Sequence, residues 1–161
     1  MNRGFILFFR GFILGMCLIP LFFSCSRDNP PLRDGYYTAE ALEFDSHGWK
    51  EFVTICVSGG KIIAVEYNAK NSSGLIKSWD MDYMRIMNAA DGTYPNEYTR
   101  IYGAQLLSRQ GSGEIDVLSG ATNSYHSFCL LAEAVLAKSK AGDTSVALIQ
   151  INTLADTGAP P

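Results

Sequence analysis

The sequence predicts an α+β fold, a single domain in which an antiparallel β-sheet is backed by helices. Three observations predict it. Apolar residues alternate over Trp49 to Val57, placing Val53, Ile55 and Val57 on one face and Phe52, Thr54 and Cys56 on the other. Ser58-Gly59-Gly60-Lys61 is hairpin-turn chemistry and leads into a second extended run. After residue 76 the apolar spacing switches to that of helices and stays so in three successive segments. At 161 residues there is room for one such domain.

The chain begins with a targeting segment, residues 1–24. Arg3 and Arg10 are its positive residues, and Gly11 to Phe23 is an apolar run that closes on Leu21-Phe22-Phe23-Ser24-Cys25. A small residue before a cysteine at the end of such a run resembles the lipobox of bacterial lipoproteins. That resemblance implies cleavage after Ser24 and a lipid on Cys25; Phe22 departs from the leucine usual at its position. An uncleaved membrane anchor with an incidental cysteine is the competing reading. Under either reading the body lies outside the cytoplasm, tethered to a membrane. Residues 25–34, with Pro30-Pro31, read as a stiffened tether.

Lys and Arg total 13 against 16 Asp and Glu, a net charge of −3. Residues 1–24 contribute only Arg3 and Arg10, so the remainder is more acidic still. With no basic run or patch, nucleic acid is not an expected partner. Setting aside Cys17 in the signal peptide and Cys25 at its end, Cys56 and Cys129 remain. They could pair outside the cytoplasm, but both occupy apolar positions where free cysteines pack as small hydrophobes, and buried free thiols are favoured. There is no CxxC or His/Cys cluster, so no metal is expected.

The folded domain spans residues 35–152. Tyr36 to Phe44 reads as a first strand, Asp45-Ser46-His47-Gly48 as a turn, then Trp49 to Val57 and Ile62 to Tyr67 as strands. A polar loop follows, Asn68 to Gly74. Lys77 to Ala90 is helical, with Trp79, Tyr83, Ile86, Met87 and Ala90 forming a stripe expected in the core. Asp91-Gly92 stops it, and Pro95-Asn96 starts a helix to about Gln110 with Tyr98, Ile101, Tyr102 and Leu106 on its apolar side. Gly111-Ser112-Gly113 breaks the chain, after which Glu114 to Leu118 can run extended. The last helix carries Phe128, Leu131, Ala132, Val135 and Leu136 on one face, Lys138 and Lys140 in its final turn and Gly142 just beyond. Val146 to Asn152 is a closing strand, residues 153–161 read as a loose tail, and no internal repeat is present.

Asp116 to Ser124 is the stretch that carries chemistry. It predicts strand, tight small-residue turn, helix, a grammar that aims backbone N–H groups at one point. The first acid after Thr122 is Glu133; Ser119, Thr122, Ser124 and Ser127 stand where a helix start favours carboxylates. Two readings are open on these grounds: an external anion at the helix start, or ordinary N-capping by Thr122 or Ser124.

Asp116-x-x-Ser119-Gly120-Ala121-Thr122-x-Ser124 resembles the flavinylation motif of the FMN-binding domain family. In that family the threonine is joined to the FMN phosphate by a phosphoester, made by an FMN transferase with FAD as donor. Members serve sodium-pumping and ferredoxin-oxidising complexes or are lipoproteins of extracellular electron transfer. Asp45-x-x-Gly48-Trp49 and Val57-x-Gly59-Gly60-Lys61-Ile62 are similar to the sheet half of the lipoprotein branch. The two resemblances cover roughly residues 35–140 and imply an FMN-binding domain of α+β fold. They imply FMN on Thr122 Oγ, with Asp116, Ser119, Gly120 and Ala121 forming the motif that the transferase recognises and Asn123 and Ser124 offering N–H groups. The implied role is electron relay outside the cytoplasm between a donor and an acceptor the sequence does not name, as a redox carrier with no catalytic acid, base or nucleophile. His126 lies on the same helix side as Thr122, though a solvated surface role competes. Trp79, Tyr83, Met87 and Tyr125 are candidates to pack on the flavin ring. No Ser–His–acid hydrolase is supported, since only His47 and His126 exist and no nucleophile elbow appears. The alternative from another class is a non-redox lipoprotein that holds a ligand or whose signal peptide becomes a peptide signal.

Overall fold

The computed structural model describes residues 30–151. The signal peptide, Cys25, the first residues of the tether and the tail at 153–161 lie outside the described residues.

The alternating segments form strands β1 (Gly35–Ala41), β2 (Lys50–Ser58), β3 (Lys61–Lys70) and β4 (Ala147–Ile149), in the order β3-β2-β1-β4. β1, β2 and β3 make an antiparallel meander, with Tyr37 opposite Ile55 and Val53 opposite Tyr67. Its register slips by one residue at Cys56/Val57, close to the hairpin. The sheet is mixed rather than wholly antiparallel, because β4 lies parallel to β1, with Ala39 opposite Ala147. β1 is shorter than the sequence pattern suggests, and Phe44 is exposed beyond its end.

Three α-helices follow the meander: α1 (Met81–Asp91), preceded by a 3-10 turn at Lys77–Trp79, α2 (Pro95–Arg109) and α3 (Thr122–Ala141). α3 lies across β1 and β2, and α2 lies across β3. One face of the sheet thus meets helices and the other faces solvent. Tyr37, Ala39, Val53, Ile55, Val57, Ile62 and Tyr67 are buried on the inner face against Tyr98, Tyr102 and Leu106 of α2 and Phe128, Leu131, Ala132 and Val135 of α3. Pro95 starts α2, and Gln110, in left-handed conformation, ends it. Lys138 and Lys140 in the last turn of α3 and Gly142 at its end match the patterning of that helix.

The helix at Lys77 to Ala90 departs from expectation in two ways. Asp80 divides it: Asp80 accepts the Tyr83 N–H at 2.9 Å and caps α1, leaving Lys77–Trp79 as a separate 3-10 turn. The apolar stripe is also not core. Trp79 is 70% and Ile86 66% exposed, Ala90 is exposed, Tyr83 and Met87 are half-buried, and no residue of α1 is buried. α2 and α3 already cover the inner face of the sheet, so α1 sits at its margin.

Cys56 and Cys129 are free thiols. Each is half-buried rather than fully enclosed.

Candidate functional site

Asp116 to Ser124 is built by contacts that fix its backbone from α2 and from the connection between α1 and α2. The Asp116 N–H donates to Gln105 Oε1 at 2.6 Å, Gln105 Nε2 donates back to the Asp116 carbonyl at 3.2 Å, and Arg109 pairs with the Asp116 carboxylate at 2.6 Å. Residues 114–118 form no strand, contrary to the strand–turn–helix expectation; their main chain is engaged by α2 side chains and not by a neighbouring strand. The buried Tyr102 holds the next turn. Its hydroxyl accepts the Leu118 N–H at 3.0 Å and donates to the Ala121 carbonyl at 3.2 Å.

The Ala121 N–H closes a turn on the Leu118 carbonyl at 3.0 Å, with Gly120 at φ +80°. A Cβ at Gly120 would stand 2.2 Å from the Asp91 carbonyl oxygen and 3.0 Å from Thr93 Cγ2. Close packing against the α1–α2 connection therefore requires glycine here, independently of any ligand. Ala121 is buried and is the residue from which α3 starts; it offers no capping side chain, and the first turn has no acid. N-capping by Thr122 or Ser124 is not what occurs, because both lie inside the helix. Thr122 is the first helical residue and is exposed, as are Ser119, Asn123 and Asp116, while Ser124 is half-buried. The stretch thus presents an exposed threonine hydroxyl at a helix start whose leading N–H groups have no side-chain cap.

Beneath this helix start lies a polar cluster that sequence reasoning did not single out. The Tyr67 hydroxyl sits 2.9 Å from the Ser124 carbonyl and 3.1 Å from Glu51 Oε1. Burial pushes the Glu51 carboxyl up, and Lys77, Ser127 and Tyr67 oppose that shift. Burial also raises Tyr67 strongly, and Glu51 adds to the effect. Lys77 is buried; burial alone would lower its ammonium, but the facing Tyr98, Glu51, Tyr83 and Asp45 carry it above its ordinary value. Trp49 forms part of the same cluster, its main-chain N–H donating to Asp45 Oδ1 at 2.8 Å and its ring edge-on to Tyr83 at 5.8 Å. No local sequence signal announces this group, since its members come from β2, β3, the 3-10 turn and α2.

Of the other candidates, His126 is exposed, its ring 5.3 Å from that of Tyr125. Tyr125 is half-buried, 6.1 Å from Tyr102. Tyr83 belongs to the Lys77 pocket, Met87 packs against the core margin, and Trp79 stands in solvent. Among the described residues no group of three or more His, Cys, Asp or Glu could hold a metal ion. A separate groove of about 490 Å³, lined by Pro30, Pro31, Lys61, Gln110 and Gly113 among others, shares no residue with this site.

The chain is 36% identical over 128 residues to the 15 kDa lipoprotein of Treponema pallidum (strain Nichols), covering 80% of this chain and 89% of the relative. It belongs to that lipoprotein family. A crystal structure of a Clostridium perfringens protein is 38% identical and superposes with a TM-score of 0.72, over 75% of this chain and 99% of that one. The α+β architecture is thus shared with a solved structure across nearly its full length. No family model matches the chain. No helix among the described residues is long and apolar enough to cross a membrane.

Proposed function

We propose that this lipoprotein is anchored outside the cytoplasm through a lipid on Cys25 and carries FMN as a phosphoester on Thr122 Oγ, relaying electrons between partners. The observation that carries the reading is the complete Asp116 to Ser124 motif at a helix start with an exposed threonine, no side-chain cap and no acid in the first turn. Kinship with a protein named as a lipoprotein supports the anchoring half.

The reaction is a phosphoryl transfer. The Thr122 hydroxyl attacks the FMN phosphorus of FAD, a P–O bond to Thr122 forms, the pyrophosphate P–O bond breaks, AMP leaves, and the hydroxyl proton passes to the transferase or solvent. The residues of this chain prepare that event by presentation. Tyr102, Gln105 and Arg109 hold the turn, and the unpaired N–H groups at the start of α3 favour the phosphate charge, which the phosphoester keeps. Bound flavin supplies exchange of one or two electrons, and covalent attachment retains it where free FMN is dilute.

Co-expression with an FMN transferase should add the mass of an FMN residue to the intact protein, and Thr122→Ala should abolish the addition. A protein that stays colourless with transferase present, or an addition that survives Thr122→Ala, refutes the assignment.

A further inference from the structure

The chain enters the fold at one end of the domain and presents Thr122 at the other. Leu32 packs against the core, the Arg33 N–H donates to the Ser139 carbonyl at 3.1 Å near the end of α3, and Asp34 Oδ1 accepts the Gly60 N–H at 3.0 Å in the β2–β3 turn. From Ser139 back to Thr122 the helix axis runs about 26 Å. Residues 26–29 are all that separate Cys25 from Pro30, a reach of at most about 18 Å. An anchor at Cys25 therefore keeps the Arg33 end of the domain beside the bilayer, whatever the tilt of the rest.

That end carries the groove of about 490 Å³, whose lining includes Pro30 and Pro31 of the tether, Lys61, Ser112 and Lys140 and no acidic residue. The Arg33 side chain runs past Gly142 close by. Of the acids in this region, Asp34 is taken by the Gly60 N–H and Asp143 by Lys138 and Ser145, while Glu114 is exposed just past the groove. In a chain of net charge −3, a recess with two lysines and no carboxylate is a place for an anionic group. A different surface lies at the Thr122 end. Trp79 is 70%, Met81 70% and Ile86 66% exposed, on and beside the helix whose last residue, Asp91, packs against Gly120. A domain standing on its groove lifts this apolar face clear of the bilayer; one lying on its side brings it down.

Resting on the anchoring at Cys25, we propose that the groove is a membrane-docking foot. It seats the phosphate-bearing headgroups of anionic lipids beside Lys61 and Lys140, so that the domain stands on the bilayer with Thr122 and α1 directed away from it. A lysine held at an anionic surface is attracted over about a Debye length. The short tether holds the groove at a high local concentration of headgroups, which lets two such charges suffice. The consequence is access: a partner that works on Thr122 reaches it from the aqueous side.

The test places the full lipidated chain in phosphatidylcholine vesicles with and without phosphatidylglycerol and follows lysine acetylation by mass spectrometry. Lys61 and Lys70 are the two ends of β3, about 30 Å apart, so Lys70 serves as the reference. Phosphatidylglycerol should slow acetylation of Lys61 and Lys140 at least about threefold relative to Lys70. The exposed Lys61→Glu variant should lose the shielding of Lys140, and inorganic phosphate added to phosphatidylcholine vesicles should reproduce none of it. Trp79 is exposed and the other tryptophan, Trp49, is buried, so quenching by acyl-chain-brominated lipid reports contact of α1 with the bilayer; none is expected. Equal rates with and without phosphatidylglycerol, or Lys70 slowed as much as Lys61, overturn the proposal. So does Lys140 shielding that survives Lys61→Glu, since the tether alone then accounts for it, or shielding by phosphate alone. Quenched Trp79 overturns the upright orientation in favour of a domain lying on α1. Failure of the anchoring itself is distinct: the intact mass then shows no lipid on Cys25 and the protein does not sediment with vesicles, which removes the proposal with it.

Discussion

Gly120 offers the most direct check on how the motif is held in place. Its φ is +80°, and so is that of Gly48 in the turn before β2. An L-residue in this region costs about 1–2 kcal/mol, partly offset by about 0.4–1 kcal/mol from a less mobile unfolded chain. A Cβ at Gly48 meets nothing within 4 Å, so Gly48→Ala should destabilise by only about 1 kcal/mol. At Gly120 the same Cβ would approach the Asp91 carbonyl oxygen to 2.2 Å and Thr93 Cγ2 to 3.0 Å. The obstructing oxygen is main chain and cannot rotate aside, so the turn or the α1–α2 connection must shift. Overpacking of this kind adds about 1–3 kcal/mol, which brings Gly120→Ala to roughly 2–4 kcal/mol. Equilibrium urea unfolding of the two variants and the wild type measures this, read as midpoint shifts at constant slope. Equal midpoints for Gly48→Ala and Gly120→Ala would refute the close-approach argument, because the backbone term is common to both and only the contact differs.

Two further predictions concern the turn and the end of α3. Tyr102→Phe removes both the acceptor for the Leu118 N–H and the donor to the Ala121 carbonyl; a loss of about 1–3 kcal/mol is expected, with faster amide exchange at Leu118, and unchanged exchange there would show that the hydroxyl does not hold the turn. The Asp143 carboxyl is held down to about 2 by Lys138, at 2.6 Å, and by the amide and hydroxyl of Ser145. A depressed carboxyl stabilises the fold above its unfolded value of 3.8 and loses that contribution as pH falls towards 2. Asp143→Asn should therefore melt below the wild type at neutral pH, with the gap closing between about pH 4 and pH 2; a gap independent of pH contradicts the assignment.

The parts of the fold that were legible in the sequence are those whose cause is local. The β2–β3 hairpin follows from alternation and a Gly-Gly turn, and α2 runs from Pro95 almost to Gln110 because its start and stop are each set by one residue's backbone preference. The direction of β4 was not legible, since a short apolar run does not say which edge of a sheet it joins; it is the free edge of β1 that receives it after α3. Nor was the fate of α1 legible. Periodicity shows that a helix has an apolar face but not that a layer exists to cover it, and here α2 and α3 already fill the layer. Within the motif, sequence order brought Thr122 to a helix start, whereas the role of Gly120 depends on Asp91 and Thr93, which no local pattern connects to it.

The misreading of residues 77–90 and the unannounced burial of Lys77 have one physical root. A segment with Trp79, Met81 and Ile86 on show and Lys77 within is inverted relative to ordinary patterning, with apolar groups outward and a cation inward. Burying a lysine while exposing a tryptophan two residues later costs free energy on both counts; the facing Tyr98, Glu51 and Tyr83 offset part of the first.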